Sequence, residues 1–162
     1  MTTFASDTEQ PQEPKAPPKS ARRRAREFVL QGLYQWRVGG ADEAVIEAQI
    51  PELDDFARAD RDFFVATLRG VIGQQEKLTA LVTTHIDRPF KELSPIEACV
   101  LLMGACELVN NPETPYRVII NEAIELTKSF GGTDGHKYVN GVLDKVAAEV
   151  RPVEVEAKKK GR

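Results

Sequence analysis

Histidine and cysteine are scarce in this 162-residue chain, with two of each. His85 and His136 have no second histidine or cysteine at metal-ligand spacing, so the sequence offers no metal centre and implies no cofactor. Cys99 and Cys106 lie on one predicted helix, about 10 Å apart at 1.5 Å per residue. A disulfide needs Cα atoms within about 7 Å, so the two do not bridge within an intact helix. They read as core thiols in a reducing cytoplasm, and Cys99 has no neighbouring base to make it a nucleophile. No apolar run reaches the ~20 residues of a membrane span, and the N-terminus lacks a signal-peptide hydrophobic region. Convincing strand patterns are missing too. "GGTDG" at 131–135 therefore has no strand before it and is no phosphate-binding loop. Ser129, Asp134 and His136 straddle a predicted helix–loop–helix junction with nothing to bring them together, so catalysis is not supported.

What is present is helix. With 41% hydrophobic and 29% charged residues the composition is that of an ordinary globular domain. Residues 1–19, rich in Pro, Glu and small polar residues, read as a disordered arm, and 152–162, ending "AKKKGR", as a solvated basic tail. Between them, 20–151 form one domain. A first helix spans about 20–37, with Ala21, Ala25, Phe28, Val29, Gly32, Leu33 and Trp36 on one face, and stops at Gly39-Gly40. A short helix follows around 41–49, and then a long pattern from 58 to 86 that Gly70 and Gly73 bend or split. Ser94-Pro95-Ile96-Glu97 carries the N-cap, first-turn proline and glutamate of a capping box. The helix it opens is apolar on most sides and so central. Pro115 opens another, closed by Gly131-Gly132, and Asp134 is the N-cap of the last, with its stripe of valines, leucine and alanine. The expected fold is an all-α bundle of six or seven helices.

The charges are segregated. The net charge is −3, yet residues 20–37 hold five arginines against Glu27, and residues 41–69 hold eight acids against three arginines. Such poles suit two different partners; they also arise from chance segregation of solvated charge. The arginines of "SARRRAREF" sit at a helix N-terminus, where each cation costs roughly 0.3–1 kcal/mol. Ser20 caps well, but Arg23 stands where a capping box has Glu or Gln. Local helix stability does not explain the cluster; an anion to bind would. A second suggestive stretch is "KSFGGTDGHKYVNG", 128–141, where Lys128, Phe130, His136, Lys137 and Tyr138 surround a helix N-terminus. Rings that stack on bases, with amides and lysines that hold phosphates, suit single-stranded RNA. The same aromatics also read as core, and Gly131 as a helix stop.

"ARRRAREFVLQGLYQW", "YRVIINEAIELTKSFG" and "HKYVNGVLDK" together resemble the NusB family of bacterial transcription antitermination factors, in order and with similar spacing over about residues 20–152. The resemblance implies two small helical bundles packed in one domain. It also implies binding of the single-stranded boxA element of nascent, including ribosomal, RNA, and pairing with NusE, a small-subunit ribosomal protein. Other Nus factors and RNA polymerase complete the implied complex. Carried onto this sequence, the RNA face uses Arg22, Arg23, Arg24, Arg26, Arg88, Lys128, Phe130, Asp134, His136, Lys137 and Tyr138. The NusE side uses Tyr34 and Glu97. Where relatives carry basic residues on the capped helix this chain has Ala98 and Leu102, and its N-terminal arm is long for the family. Two alternatives remain. One is a helical domain like that preceding the catalytic domain of some rRNA cytosine methyltransferases, although a glycine-rich cofactor domain is absent from the sequence. The other is a protein-only adaptor.

Overall fold

The computed structural model describes residues 19–132 and 134–161. Apart from Lys19, the expected N-terminal arm lies outside them. Helix α1 (Ala21–Arg37) starts at Ser20, whose Oγ accepts from the Arg23 N–H at 3.0 Å. A turn with Gly40 at φ +69° leads into α2 (Glu43–Gln49) and two 3₁₀ turns, Ile50–Glu52 and Asp54–Arg58. Asp60 caps α3 (Arg61–Gly73) through the Phe63 N–H. The long 58–86 pattern divides at Gln74, where α4 (Gln75–Thr83) begins. After a third 3₁₀ turn, Phe90–Glu92, Ser94 caps α5 (Pro95–Asn110). Only half of the expected capping box forms. Ser94 Oγ accepts from the Glu97 N–H at 3.2 Å, but the Glu97 carboxylate takes the Ser94 hydroxyl at 2.6 Å rather than the Ser94 backbone N–H. Then come α6 (Tyr116–Phe130), α7 (Gly135–Val150) and α8 (Pro152–Lys160). Among the described residues the fold is all-α, with eight α-helices rather than six or seven and no strand. No helix among them is long and apolar enough to cross a membrane.

Helix α5 is the axis. It is buried from Ala98 to Leu108, with α1, α3 and α4 against one flank and α6 and α7 against the other, around one continuous core. Ala98 and Leu102 are therefore core residues, and those two positions offer no outer face to a ligand. The α5–α7 contact is close at Gly104, where a Cβ would stand 2.7 Å from Leu143 Cδ1. Helix α1 lies antiparallel to α5, with Arg26 at Glu107 and Tyr34 sharing a groove with Ile96.

Three of the four clustered arginines of α1, Arg22, Arg23 and Arg26, find carboxylates within the protein. Arg26 is buried, and its Nε and Nη2 bond both oxygens of the equally buried Glu107 at 2.9 and 2.8 Å. This corrects the sequence expectation for Arg26: its guanidinium is enclosed and committed to α5, so it does not face RNA. Arg23 makes the same two-pronged contact with Glu122 of α6, at 2.9 and 3.0 Å, and Arg22 stands 3.7 Å from Asp60. The guanidinium carbons of Arg22 and Arg26 lie 5.0 and 4.9 Å from the Phe63 ring centroid. Each contact offsets the unfavourable helix-end position with a carboxylate or a ring face.

The presumed solvated tail is also structured. Arg151, at the α7–α8 junction, is buried and donates to the carbonyls of Glu107, Leu108, Asn111 and Thr114 around the end of α5; those of Glu107 and Asn111 also accept from the Asn111 and Thr114 N–H groups. Glu154 accepts from both Arg151 and the Tyr116 N–H, and Val155 is buried. Helix α8 is thereby fastened to the α5–α6 turn.

Two stability predictions follow from these arginines. Arg26→Ala leaves a buried, uncompensated carboxylate and is expected to cost about 3–5 kcal/mol, whereas the double change Arg26→Met with Glu107→Leu should fall near wild type. Urea unfolding midpoints check this; a single variant as stable as wild type would show that Glu107 finds another partner. Arg151→Ala takes the side-chain donor from the Leu108 and Thr114 carbonyls and should cost about 2 kcal/mol or more. Arg151→Lys should recover little of that, because an ammonium lacks the planar fork that spans them.

Candidate nucleic-acid and partner interface

The exposed face of α1 forms one wall of a groove of about 700 Å³. The helix phase sets which side chains line it: Arg24, Glu27, Phe28, Gln31, Tyr34 and Gln35 recur at steps of three and four on the side turned away from Arg26. Asp55 of the second 3₁₀ turn, Ile96 of α5 and Phe130 at the end of α6 complete it, with Lys19 at its mouth. Lys19 Nζ reaches both oxygens of Glu27, at 3.0 and 2.8 Å. Among the described residues Arg24 makes no ion pair. Tyr34 and Phe130 are 41% and 49% exposed, large values for rings in a well-packed domain. The groove thus brings together Arg24 and Phe130 from the expected RNA set and Tyr34 from the expected partner set.

The second gathering point is the N-terminus of α7. Arg88, in the loop before α5, places its guanidinium 4.8 Å from the Tyr138 ring centroid. Asp87 accepts from Arg88 Nε–H at 3.1 Å and from the Tyr138 hydroxyl at 3.3 Å. The Arg88 hydrogen bond holds the Asp87 carboxyl below its ordinary range, the same bond raises Arg88, and partial burial raises Tyr138. Lys137 stands 3.6 Å from Asp134, and Lys128 only 4.0 Å from Glu125, so each lysine has a carboxylate neighbour on its own helix or at its cap. Asp134 is at the expected N-cap position but makes no capping hydrogen bond; its φ, ψ of −113°, 9° is not the extended cap geometry, and its side chain turns to Lys137 instead. His136 Nδ1 is buried without a hydrogen-bond partner, as is Asn140 Oδ1 one turn on.

The first turn of α5 joins these two places. Ile96 lines the groove and lies 3.6 Å from where a Gly131 Cβ would stand, while Glu97 Oε1 lies 3.4 Å from a corresponding Cβ on Gly135. Glu97 therefore sits against the positive end of α7, on the Arg88–Tyr138 side, rather than beside Tyr34. The residues sequence reasoning missed are the counter-charges, Asp60, Asp87, Glu107 and Glu122. Glu107 had one visible signal: it is the only charged residue of α5 beyond its first turn. As for catalysis, burial pushes the Cys99 thiol up to about 11, away from any nucleophilic role at neutral pH.

A helical domain with a groove of exposed rings and a cation, continued by an arginine–tyrosine stack, has the features of a binding module for a polyanion and a partner. Comparison with known proteins makes this specific. The NusB family model matches residues 23–148, and the chain belongs to that family. A transcription antitermination protein NusB of Dechloromonas aromatica is 76% identical over 162 residues, covering 100% of this chain and 99% of that protein. The corresponding Ralstonia nicotianae protein is 56% identical over 149 residues, covering 92% of this chain and 96% of its own. Among solved structures, T. maritima NusB superposes with a TM-score of 0.73 at 28% identity, over 86% of this chain and 99% of that one. A NusB solved with NusE and double-stranded RNA has the same fold, with a TM-score of 0.69 at 18% identity over 78% of this chain and 96% of that one. The family's function is transcription antitermination, not catalysis, and the methyltransferase alternative is set aside by relatives that are matched almost end to end.

Proposed function

We propose that this chain acts in the cytoplasm as an antitermination factor that holds single-stranded boxA RNA together with NusE and presents both to RNA polymerase and the other Nus factors. The observation that carries the reading is the groove shared by Arg24, Phe130 and Tyr34, continued through the first turn of α5 to the Arg88–Tyr138 stack. Exposed rings favour single strands, whose unstacked bases can lie on them. The complex of a related NusB with NusE supports the partner. In this reading Arg24, Arg88, Lys128, Phe130, His136, Lys137 and Tyr138 contact RNA. Arg22 and Arg23 do so only by exchanging Asp60 and Glu122 for phosphate, and Arg26 does not. Asp134 opposes the phosphates. Tyr34 meets NusE, and Glu97, at the α5–α7 corner, is within reach of both ligands.

Filter binding of a boxA-like single strand, and of its duplex, with and without NusE, tests this. Binding of the single strand, strengthened about 5–150-fold by NusE, is expected, as is reciprocal strengthening of NusE binding by RNA. Arg24→Ala should weaken RNA binding and flatten its salt dependence by about one unit of log–log slope. Tyr34→Asp should weaken NusE binding and leave RNA binding by the isolated protein within about twofold: the new charge is about 15 Å along α1 from Arg24, beyond the ~8 Å screening length of physiological salt. NusE binding without RNA binding in any combination would leave the protein-only adaptor standing instead.

A separate variant probes the acidic member of the set. Asp134→Asn should tighten RNA binding, because it removes a negative charge and releases Lys137, with little change in melting temperature, since the exposed Asp134 side chain caps nothing. Weaker binding would show that Asp134 accepts hydrogen bonds from the RNA.

A further inference from the structure

Asp87 belongs to neither set of expected contacts, yet it holds two members of one. A single oxygen, Oδ1, takes the Arg88 Nε–H and the Tyr138 hydroxyl. The Tyr138 ring packs against the core, while Arg88 is half-exposed and its guanidinium lies over that ring. The stack therefore runs from the core through the tyrosine ring to the guanidinium, and the guanidinium is the layer a ligand meets. A guanidinium plane binds nucleic acid in two ways. Its face stacks on a base, and its edge N–H groups pair with phosphate oxygens. Asp87 occupies the Nε–H and sets a negative charge beside that edge, which disfavours a phosphate there, whereas the face stays open. Asp87 itself is 74% exposed, so its pair with Arg88 contributes little to fold stability.

We propose that Asp87 is a positioning residue that keeps Arg88 flat on Tyr138 and reserves its guanidinium for stacking on a nucleobase in preference to pairing with backbone phosphate. The inference rests on the RNA reading above and adds to it the source of base dependence at this corner. Asp87 imposes selectivity at the expense of raw attraction: it weakens binding to any polyanion and leaves intact the part of the interaction that requires a base.

The test compares a short single-stranded RNA with an abasic ribose–phosphate strand of the same length, on the full chain. Asp87→Asn keeps an oxygen for the Tyr138 hydroxyl but no charge to hold Arg88. It should bind the abasic strand more tightly, with a salt slope steeper by about one unit. The preference for the base-bearing strand should fall about fivefold or more, the range set by loss of one stacked base. Arg88→Lys, which keeps charge without a stacking plane, should lose the same preference while still binding the abasic strand. An unchanged preference in Asp87→Asn, or equal weakening on both strands, overturns the proposal while leaving RNA binding in place. If the wild-type chain binds neither strand, with or without NusE, the RNA reading fails first and Asp87's role with it.

Discussion

Glu107 is the one carboxylate enclosed in the central helix, and both ends of the described chain are organised around it. Its side chain receives Arg26 from α1, and its carbonyl receives Arg151 from the start of α8. A lone carboxylate in this position carries a desolvation cost of several kcal/mol, and Arg26 unpaired carries a similar one. Sliding α1 by a single turn along α5 would incur both. The pair thus selects a register more than it adds net stability. Arg24 lies about 200° around α1 from Arg26, and Tyr34 nearly three turns beyond Arg24, so the register that satisfies Glu107 also sets which residues face the groove.

The same economy of charge runs through the candidate interface. Arg23 faces Glu122, Arg22 faces Asp60, Arg88 faces Asp87 and Lys137 faces Asp134. Most of what looks in the sequence like a free basic pole is locally neutralised. The distinction that matters is burial. The Arg26 pair is sealed and structural. The pairs of Arg22, Arg23 and Lys137 are wet, individually weak and open to exchange with a phosphate, whereas Asp87 is proposed above to hold Arg88 for stacking.

How much of this was legible depended on the range of the interaction. The helices could be read because periodicity and caps are local: Ser94-Pro95, the Gly131 stop and the stripe on α7 all stand where the pattern puts them. Helix α8 could not, because its anchors are Arg151 on four carbonyls of a turn some 40 residues earlier, and a nine-residue segment ending in lysines has almost no stripe of its own. The arginines were half legible. Helix phase distinguishes them, since Arg22 and Arg26 lie at steps of four, three and four with Val29 and Leu33, on the buried stripe. Treated as a cluster of like charges they seemed to need an external anion; treated by phase, Arg26 needed an internal one, and the isolated Glu107 was its only unexplained match. Asp87 was hidden because an acid beside an arginine is common and only the structure brings the Tyr138 hydroxyl to it.

A surface built of exchangeable pairs has a thermodynamic consequence. When a phosphate displaces a carboxylate from an arginine, the freed carboxylate is left unpaired beside the incoming phosphate, so the net attraction is smaller than for a bare cation. Non-specific attraction to RNA is correspondingly muted, in keeping with a net charge of −3. In the proposed reading affinity comes from the terms that survive screening, which are bases on the Phe130 and Arg88–Tyr138 surfaces and contacts supplied by a second protein. Stacking needs exposed rings and a second protein needs Tyr34 accessible, and one groove with the corner next to it offers both. A factor that must ignore most of the RNA around it while responding to one element and one partner is better served by this arrangement than by a uniformly basic face, whose attraction would be strong and indiscriminate.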